Sequence, residues 1–331
     1  MHFTELVDLA AERLEGAVLA ANDEFFAPKE NLLKASTPVF REGEYTDRGK
    51  WMDGWETRRR RAPGFDWCLI RLGLPGIIRG VVVDTAYFRG NYPEHCSLEG
   101  CSTSTREVEQ LISGNTNWVP ILPLLPLQPD TQNSFAVDYG QPVSHIRFNI
   151  HPDGGVARLR VYGEVVPDWD LLKRGGGEID LAAVENGGLV LSASDMFFGH
   201  RHNLIMPGRA VNMSDGWETK RRRGPGHDWV IIKLGATGEI RRLEVDTSYF
   251  KGNFPESCSL EATNASDLAL ENLSAPSVPW TTVLPRTSLQ AHTRHLFTEE
   301  LLDSGAVSHV KFNIFPDGGV SRLRIYGTTS G

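Results

Sequence analysis

Short apolar stretches recur along the chain, each cut off by Gly, Pro or Asp. Trp67–Leu72 is almost wholly apolar and stops at Gly73, and Ile77–Val83 is β-branched and stops at Asp84. Both spacings predict buried strands. Val143–Ile150 alternates and meets a turn at Asp153-Gly154-Gly155. Val156–Tyr162 then sets Arg158 and Arg160 against Leu159 and Val161, the pattern of a half-buried strand with one wet face. Residues 6–18 read differently, with Leu6, Leu9, Ala10, Leu14, Ala17 and Val18 at helical spacing.

Most of the chain occurs twice. Asp53-Gly54-Trp55-Glu56-Thr57 returns as Asp215-Gly216-Trp217-Glu218-Thr219, and the arginine run after it returns as Lys220-Arg221-Arg222-Arg223. Val83-Asp84-Thr85-Ala86-Tyr87-Phe88 returns as Val245-Asp246-Thr247-Ser248-Tyr249-Phe250, and Gly90-Asn91-Tyr92-Pro93 as Gly252-Asn253-Phe254-Pro255. Near the C-terminal end of each copy, His145–Ile150 matches His309–Ile314, and Pro152-Asp153-Gly154-Gly155 matches Pro316-Asp317-Gly318-Gly319. Upstream, Asp23, Phe25 and Phe26 return as Asp195, Phe197 and Phe198. A copy of this size is a whole domain, not a solenoid unit. The expected organisation is a first repeat over 1–166, a linker over 167–178 that includes Gly175-Gly176-Gly177, and a second repeat over 179–331. The second copy also settles the helix-like stretch: it has Glu185-Asn186-Gly187-Gly188 there, a poor helix interior, so a loop feeding a strand at Val18–Ala21 fits both copies better. The fold class that follows is all-β, two tandem β-sandwiches related by duplication, with Greek-key or jelly-roll connections.

Composition narrows the function. A chain of 331 residues with 33 Gly and 19 Pro is large enough for two cores and rich in turns. A net charge of −8 argues against nucleic acid, which calls for a basic face. No apolar run reaches membrane-spanning length, and the N-terminus lacks a basic region followed by an apolar stretch. Four cysteines without a CxxC motif fit a reducing cytoplasm. Cys96 and Cys258 hold equivalent positions, which suits buried structural thiols.

The motifs DGWETRRRR, PGxDW, VDTxYFxGNxPE and FNIxPDGGVxRLRxYG, each present twice with small changes, resemble the allantoicase family over nearly the whole chain. The resemblance implies two galactose-binding-like jelly rolls in one chain, assembly into a homo-oligomer, and hydrolysis of allantoate to ureidoglycolate and urea in the breakdown of purines through allantoin. Allantoate carries one carboxylate and two ureido groups on a single carbon. Its cleavage calls for a cation on the carboxylate, polar side chains on the ureas, and an acid–base group to release urea and activate water. The competing reading is a tandem carbohydrate- or ligand-binding module without catalysis, since the architecture hosts both. Urea release from allantoate separates the two.

Several residues are candidates for these roles. Glu56 and Glu218 could act as acid–base groups or pair with the arginines that follow. Alternation in an extended segment separates Arg58 and Arg60 from Arg59 and Arg61, so one pair can face a carboxylate. Arg58, Arg60, Lys220, Arg221 and Arg222 are therefore substrate-binding candidates. His145 and His309 could transfer protons near neutral pH or serve as buried hydrogen-bonded groups. Asn149 and Asn313 share a strand face with them and could bind ligand or complete a structural network. Asn91 and Asn253 sit in turn-like sequence and could still reach substrate. Asp84 and Asp246 suit turn capping. His200, His202, His292 and His295 could hold a divalent metal, although no HExxH spacing occurs and the sequence requires no cofactor.

Overall fold

The computed structural model describes residues 2–105, 107–114, 116–265 and 278–330. The chain divides into two compact units, Met1–Val166 and Pro167–Gly331. In the first, the strands are β1 (Val7–Asp8), β2 (Ala17–Ala21), β3 (Tyr45–Thr46), β4 (Gly49–Lys50), β5 (Trp55–Glu56), β6 (Asp66–Asp84), β7 (His95–Cys101), β8 (Val119–Pro126), β9 (Gln132–Ala136), β10 (Val143–His151), β11 (Gly155–Val156) and β12 (Arg158–Val165). A short helix, α1 (Val108–Ile112), follows β7. The second unit repeats the plan with β13 (Ile179–Asp180), β14 (Leu189–Ala193), β15 (Trp217–Glu218), β16 (Asp228–Asp246), β17 (Ser257–Thr263), β18 (Thr281–Ser288), β19 (Arg294–Phe297), β20 (Ala306–Phe315), β21 (Gly319–Val320) and β22 (Arg322–Thr329). The stretch 167–178 carries a helix of its own, α2 (Trp169–Arg174), where the Asp168 carboxylate accepts the Leu171 N–H at 2.9 Å.

Each unit is a jelly-roll sandwich held by antiparallel pairing. The two apolar runs expected as separate strands form one, β6, of 19 residues. Its first half pairs with β2 and β10, and its second half with β12 and β9. The strand does not end at Gly73 because that glycine lets it slide beneath a loop: a Cβ there would lie 2.1 Å from the Leu14 carbonyl oxygen. The Gly73 N–H donates to the Leu9 carbonyl at 2.8 Å. Gly235 makes the same passage in β16, with its N–H on the Leu181 carbonyl. The folded sheet buries Ile70, Val83, Ile146, Phe148, Leu159 and Val161, and the fully buried Trp55 packs on Phe148 at 6.3 Å between ring centres.

The helical spacing of residues 6–18 resolves into β1, a single turn of 3-10 helix at Glu12–Leu14, and β2. β12 departs further from expectation. Its first arginine is dry, while Arg160, Tyr162 and Glu164 keep the partly exposed face that alternation predicts: Arg158 is 2% exposed, donating to the Asp53 carboxylate at 2.8 Å and to the Ser36 and Asp53 carbonyls. Arg160 reaches the Leu32 and Lys34 carbonyls. Arg322 likewise donates to Asp215 at 2.8 Å. Arg158 and Arg160 staple the long connection before β5 to the sheet, and Arg322 the one before β15. Buried, paired arginines look identical to wet ones in an alternating sequence.

Candidate functional site

Three of the repeated motifs, DGWET, GNxP and PDGG, meet in each unit. In the VDTxYF turn the Asp84 carboxylate accepts the Ala86 N–H at 2.8 Å, an Asx turn. Phe88 then plugs the core with no exposure, and Gly155 must be glycine, since a Cβ there would lie 1.9 Å from the Phe88 ring. The Gly155 N–H donates to the Asn91 carbonyl at 2.8 Å, so the PDGG loop holds the GNxP loop by its backbone. Gly155 also pairs with Glu56 across β11 and β5. Two loops distant in sequence thereby aim two side chains at each other: Asn91 Nδ2 donates to Glu56 Oε1 at 2.6 Å. The second unit repeats this contact between Asn253 Nδ2 and Glu218 Oε1.

Glu56 is half-buried, and burial raises its pKa above the ordinary glutamate value, while the Asn91 hydrogen bond pulls the other way. It opens on a cavity of about 440 Å³ lined also by Asn91, Phe26, Phe40, Lys50, Met52, Tyr87 and Arg89. Tyr87 has a φ of 69°, in the left-handed region, and its N–H donates to the Asp130 carboxylate at 2.7 Å. Glu218 and Asn253 line a broader cavity of about 740 Å³ with Arg221, Arg222, Phe198 and Asp317.

The arginine run has another employment. Arg58 Nε donates to Asp23 Oδ2 at 2.6 Å, and Arg60 Nη1 to Asp66 Oδ1 at 2.6 Å. Lys220 lies 3.7 Å from Asp195, and Arg222 pairs with Asp228. Alternation separates these from Arg59, Arg61 and Arg221, although Arg58 and Lys220 are exposed as well, and the carboxylates they face are the protein's own. Of the run, Arg221 and Arg222 line the second cavity, and none lines the first.

The histidines sit elsewhere. His145 pairs with Arg71 and Cys101 across the sheet, four residues along β10 from Asn149, which is roughly 13 Å at ~3.3 Å per residue. It is 3% exposed, with Nδ1 on the Ser144 hydroxyl at 2.9 Å, and neither it nor His309 lines the Glu–Asn cavities. Burial pushes both imidazoles down, His309 to about 4, with Arg71 and Lys233 adding to the effect. Asn149 Nδ2 donates to Glu99 at 2.9 Å, beside the two-bond Arg147–Glu99 pair. Asn313 does the same with Glu261 at 3.1 Å and meets His227 at 3.2 Å. Both asparagines belong to polar networks on the outer sheet face. His292 Nδ1 accepts the Tyr249 N–H at 2.7 Å, and His295 Nε2 accepts the Gln290 N–H at 2.8 Å, so both serve the backbone. The His200 and His202 rings lie 5.0 Å apart between centres, tilted by 35°. Among the described residues no three His, Cys, Asp or Glu side chains gather as a metal site. The four cysteines are buried and unpaired, and burial pushes the Cys96 and Cys258 thiols up to about 12.

Lys50, Phe40 and Met52 escaped sequence reasoning. Their signal is an offset: Ala27 to Asp53 spans 26 positions, while the matching Gly199 to Asp215 spans 16. The repeat alignment thus contains a ten-residue excess, and that excess builds the wall of the first cavity.

Comparison with known proteins agrees with the repeat. The family described as "Allantoicase repeat" matches residues 7–166 and 179–330. A protein of Dictyostelium discoideum named allantoicase is 50% identical over 98% of this chain and 87% of its own length. One from Pseudomonas aeruginosa named probable allantoicase is 48% identical over 98% and 97%. The crystal structure of allantoicase from Saccharomyces cerevisiae superposes with a TM-score of 0.81 at 36% identity, covering 97% of this chain and 93% of that one.

Proposed function

The chain belongs to the allantoicase family, and from that premise we propose that the Glu56–Asn91 cleft is where it acts. The enzyme hydrolyses allantoate to ureidoglycolate and urea. The observation that carries the assignment of the cleft is one glutamate, pushed up by burial and hydrogen-bonded to an asparagine, on the wall of a cavity sized for a small ureido acid.

The reaction breaks the bond between the central carbon and one ureido nitrogen. Water supplies the oxygen that replaces it, and the departing nitrogen gains a proton as urea leaves. Glu56 gives that proton when protonated and takes one from water when ionised, and burial shifts it towards the protonated form. The Asn91 side chain holds the carboxyl in place and offers its remaining amide groups to a ureido group. Arg58 and Arg60 act at one remove, by fixing the segment that carries Glu56. Glu218 and Asn253 form a second, wider cleft of the same design. His145, His309, Asn149 and Asn313 belong to the scaffold.

Glu56→Gln should lower kcat/KM for urea release by about a hundredfold or more. Ureidoacetate, which has one ureido group and one carboxylate, should still bind when followed by calorimetry. Full turnover by Glu56→Gln would remove the assignment. Buried, unpaired thiols suit a reducing cytoplasm, and the exposed Phe197 and Phe198 suit a homo-oligomer.

A further inference from the structure

The wall of the first cleft is built by a hairpin, β3–β4, for which the shorter second repeat has no counterpart strands among the described residues. The hairpin is tied down. Arg48 Nη1 donates to the Phe25 carbonyl at 3.2 Å, and its guanidinium lies 5.4 Å over the Phe25 ring. Before it in sequence, Phe40 stacks on Tyr87 at 5.6 Å, and Lys50 Nζ rests 4.4 Å over the Phe40 ring. The aromatic face holds an ammonium group at the cavity without neutralising it.

Charge bookkeeping singles out this lysine. A substrate with a carboxylate must enter a cleft that already contains Glu56, so a cation has to offset the repulsion. Of the other cations at the cleft or on its wall, Arg89 is bound to Asp130 at 2.9 Å, and Arg48 is held on the Phe25 carbonyl and ring and does not line the cavity. Lys50 lines the cavity, is exposed to incoming ligand, and makes no ion pair among the described residues. Three residues before Asp215, where Lys50 stands before Asp53, the second repeat has Asn212, whose Oδ1 accepts the Ser214 hydroxyl at 2.6 Å.

We propose that Lys50 binds the carboxylate of the ureido acid and makes the first cleft selective for anionic over neutral ureido compounds. The inference rests on the assignment of the Glu56 cleft and adds the group that sets its substrate class. Lys50 acts in binding, not in proton transfer, so its loss acts on KM more than on kcat.

The test compares ureidoacetate with ureidoacetamide, its neutral amide, as inhibitors of allantoate turnover. In Lys50→Met, KM for allantoate and the inhibition constant of ureidoacetate should rise about tenfold or more, as for a lost charge-assisted hydrogen bond. The constant for ureidoacetamide should stay within about twofold, and Lys50→Arg should recover part of the loss. Equal weakening of both compounds would show that Lys50 only shapes the wall, and no weakening of either would show that it does not meet the ligand. Either result overturns the proposal. Urea release from allantoate by Glu56→Gln keeps the two assignments apart: normal turnover by that variant would remove the role of Glu56 while leaving the Lys50 result standing.

Discussion

Glu56 and Asn91 are coupled through one hydrogen bond, and its direction predicts the consequence of breaking it. Asn91 donates to the carboxylate at 2.6 Å and so favours the ionised form against the burial that raises the pKa. Asn91→Ala should therefore raise the Glu56 pKa further and move the corresponding limb of the kcat/KM profile to higher pH. A limb that stays in place would mean that another group sets it. His309 titrates in the opposite sense. Its folded pKa is pushed down to about 4 by burial, with Lys233 adding to the effect, against about 6.5 in the unfolded chain. The stability it contributes is intact above pH 6.5 and is lost as pH falls towards 4, by on the order of 3 kcal/mol. Urea unfolding midpoints at pH 7.5 and 5 should differ less in His309→Gln than in the parent. An imidazole found to titrate near 6.5 by NMR would contradict this.

At the scale of elements, much of the sandwich was legible because strands announce themselves by composition and by the turns that stop them. Val143–Ile150 and the Asp153-Gly154-Gly155 turn lie where alternation placed them. What was not legible depends on neighbours distant in sequence. Gly73 reads as a terminator, yet β6 runs through it because the Leu14 backbone presses on the missing side chain. Gly73→Ala should destabilise the first unit by about 1–3 kcal/mol, since the clash is with backbone that cannot rotate away. Thermal unfolding of the full chain measures this, and an unchanged transition would show that the loop yields. The candidate site divides in the same way. Glu56 and Asn91 could be named from motifs, but not that they meet, because the PDGG backbone joins them. Arg58 and Arg60 pair with Asp23 and Asp66, and a guanidinium facing such a carboxylate has the same sequence signature as one facing a substrate.

Across the whole molecule, duplication separates what the fold needs from what one cleft adds. Both copies keep Trp55 or Trp217 buried, Phe88 or Phe250 as the plug, and Arg158 or Arg322 as the staple to Asp53 or Asp215. Both keep the Glu–Asn contact. They differ in the connection before the DGWET motif, which in the first copy supplies Phe40 and Lys50 to the cavity and in the second leaves Phe198 61% exposed. Acid–base catalysis on a small anion calls for a cation to offset the charge of the carboxylate, and of the two clefts the first places the unpaired Lys50 ammonium beside its glutamate, as proposed above. Glu56→Gln should accordingly cost about a hundredfold in kcat/KM, while Glu218→Gln should cost less than about threefold. Steady-state urea release by the two single variants, each checked for a parental unfolding transition, decides the matter. Equal losses would place chemistry in both clefts, and a loss confined to Glu218→Gln would move it to the second, where Arg221 is the exposed cation.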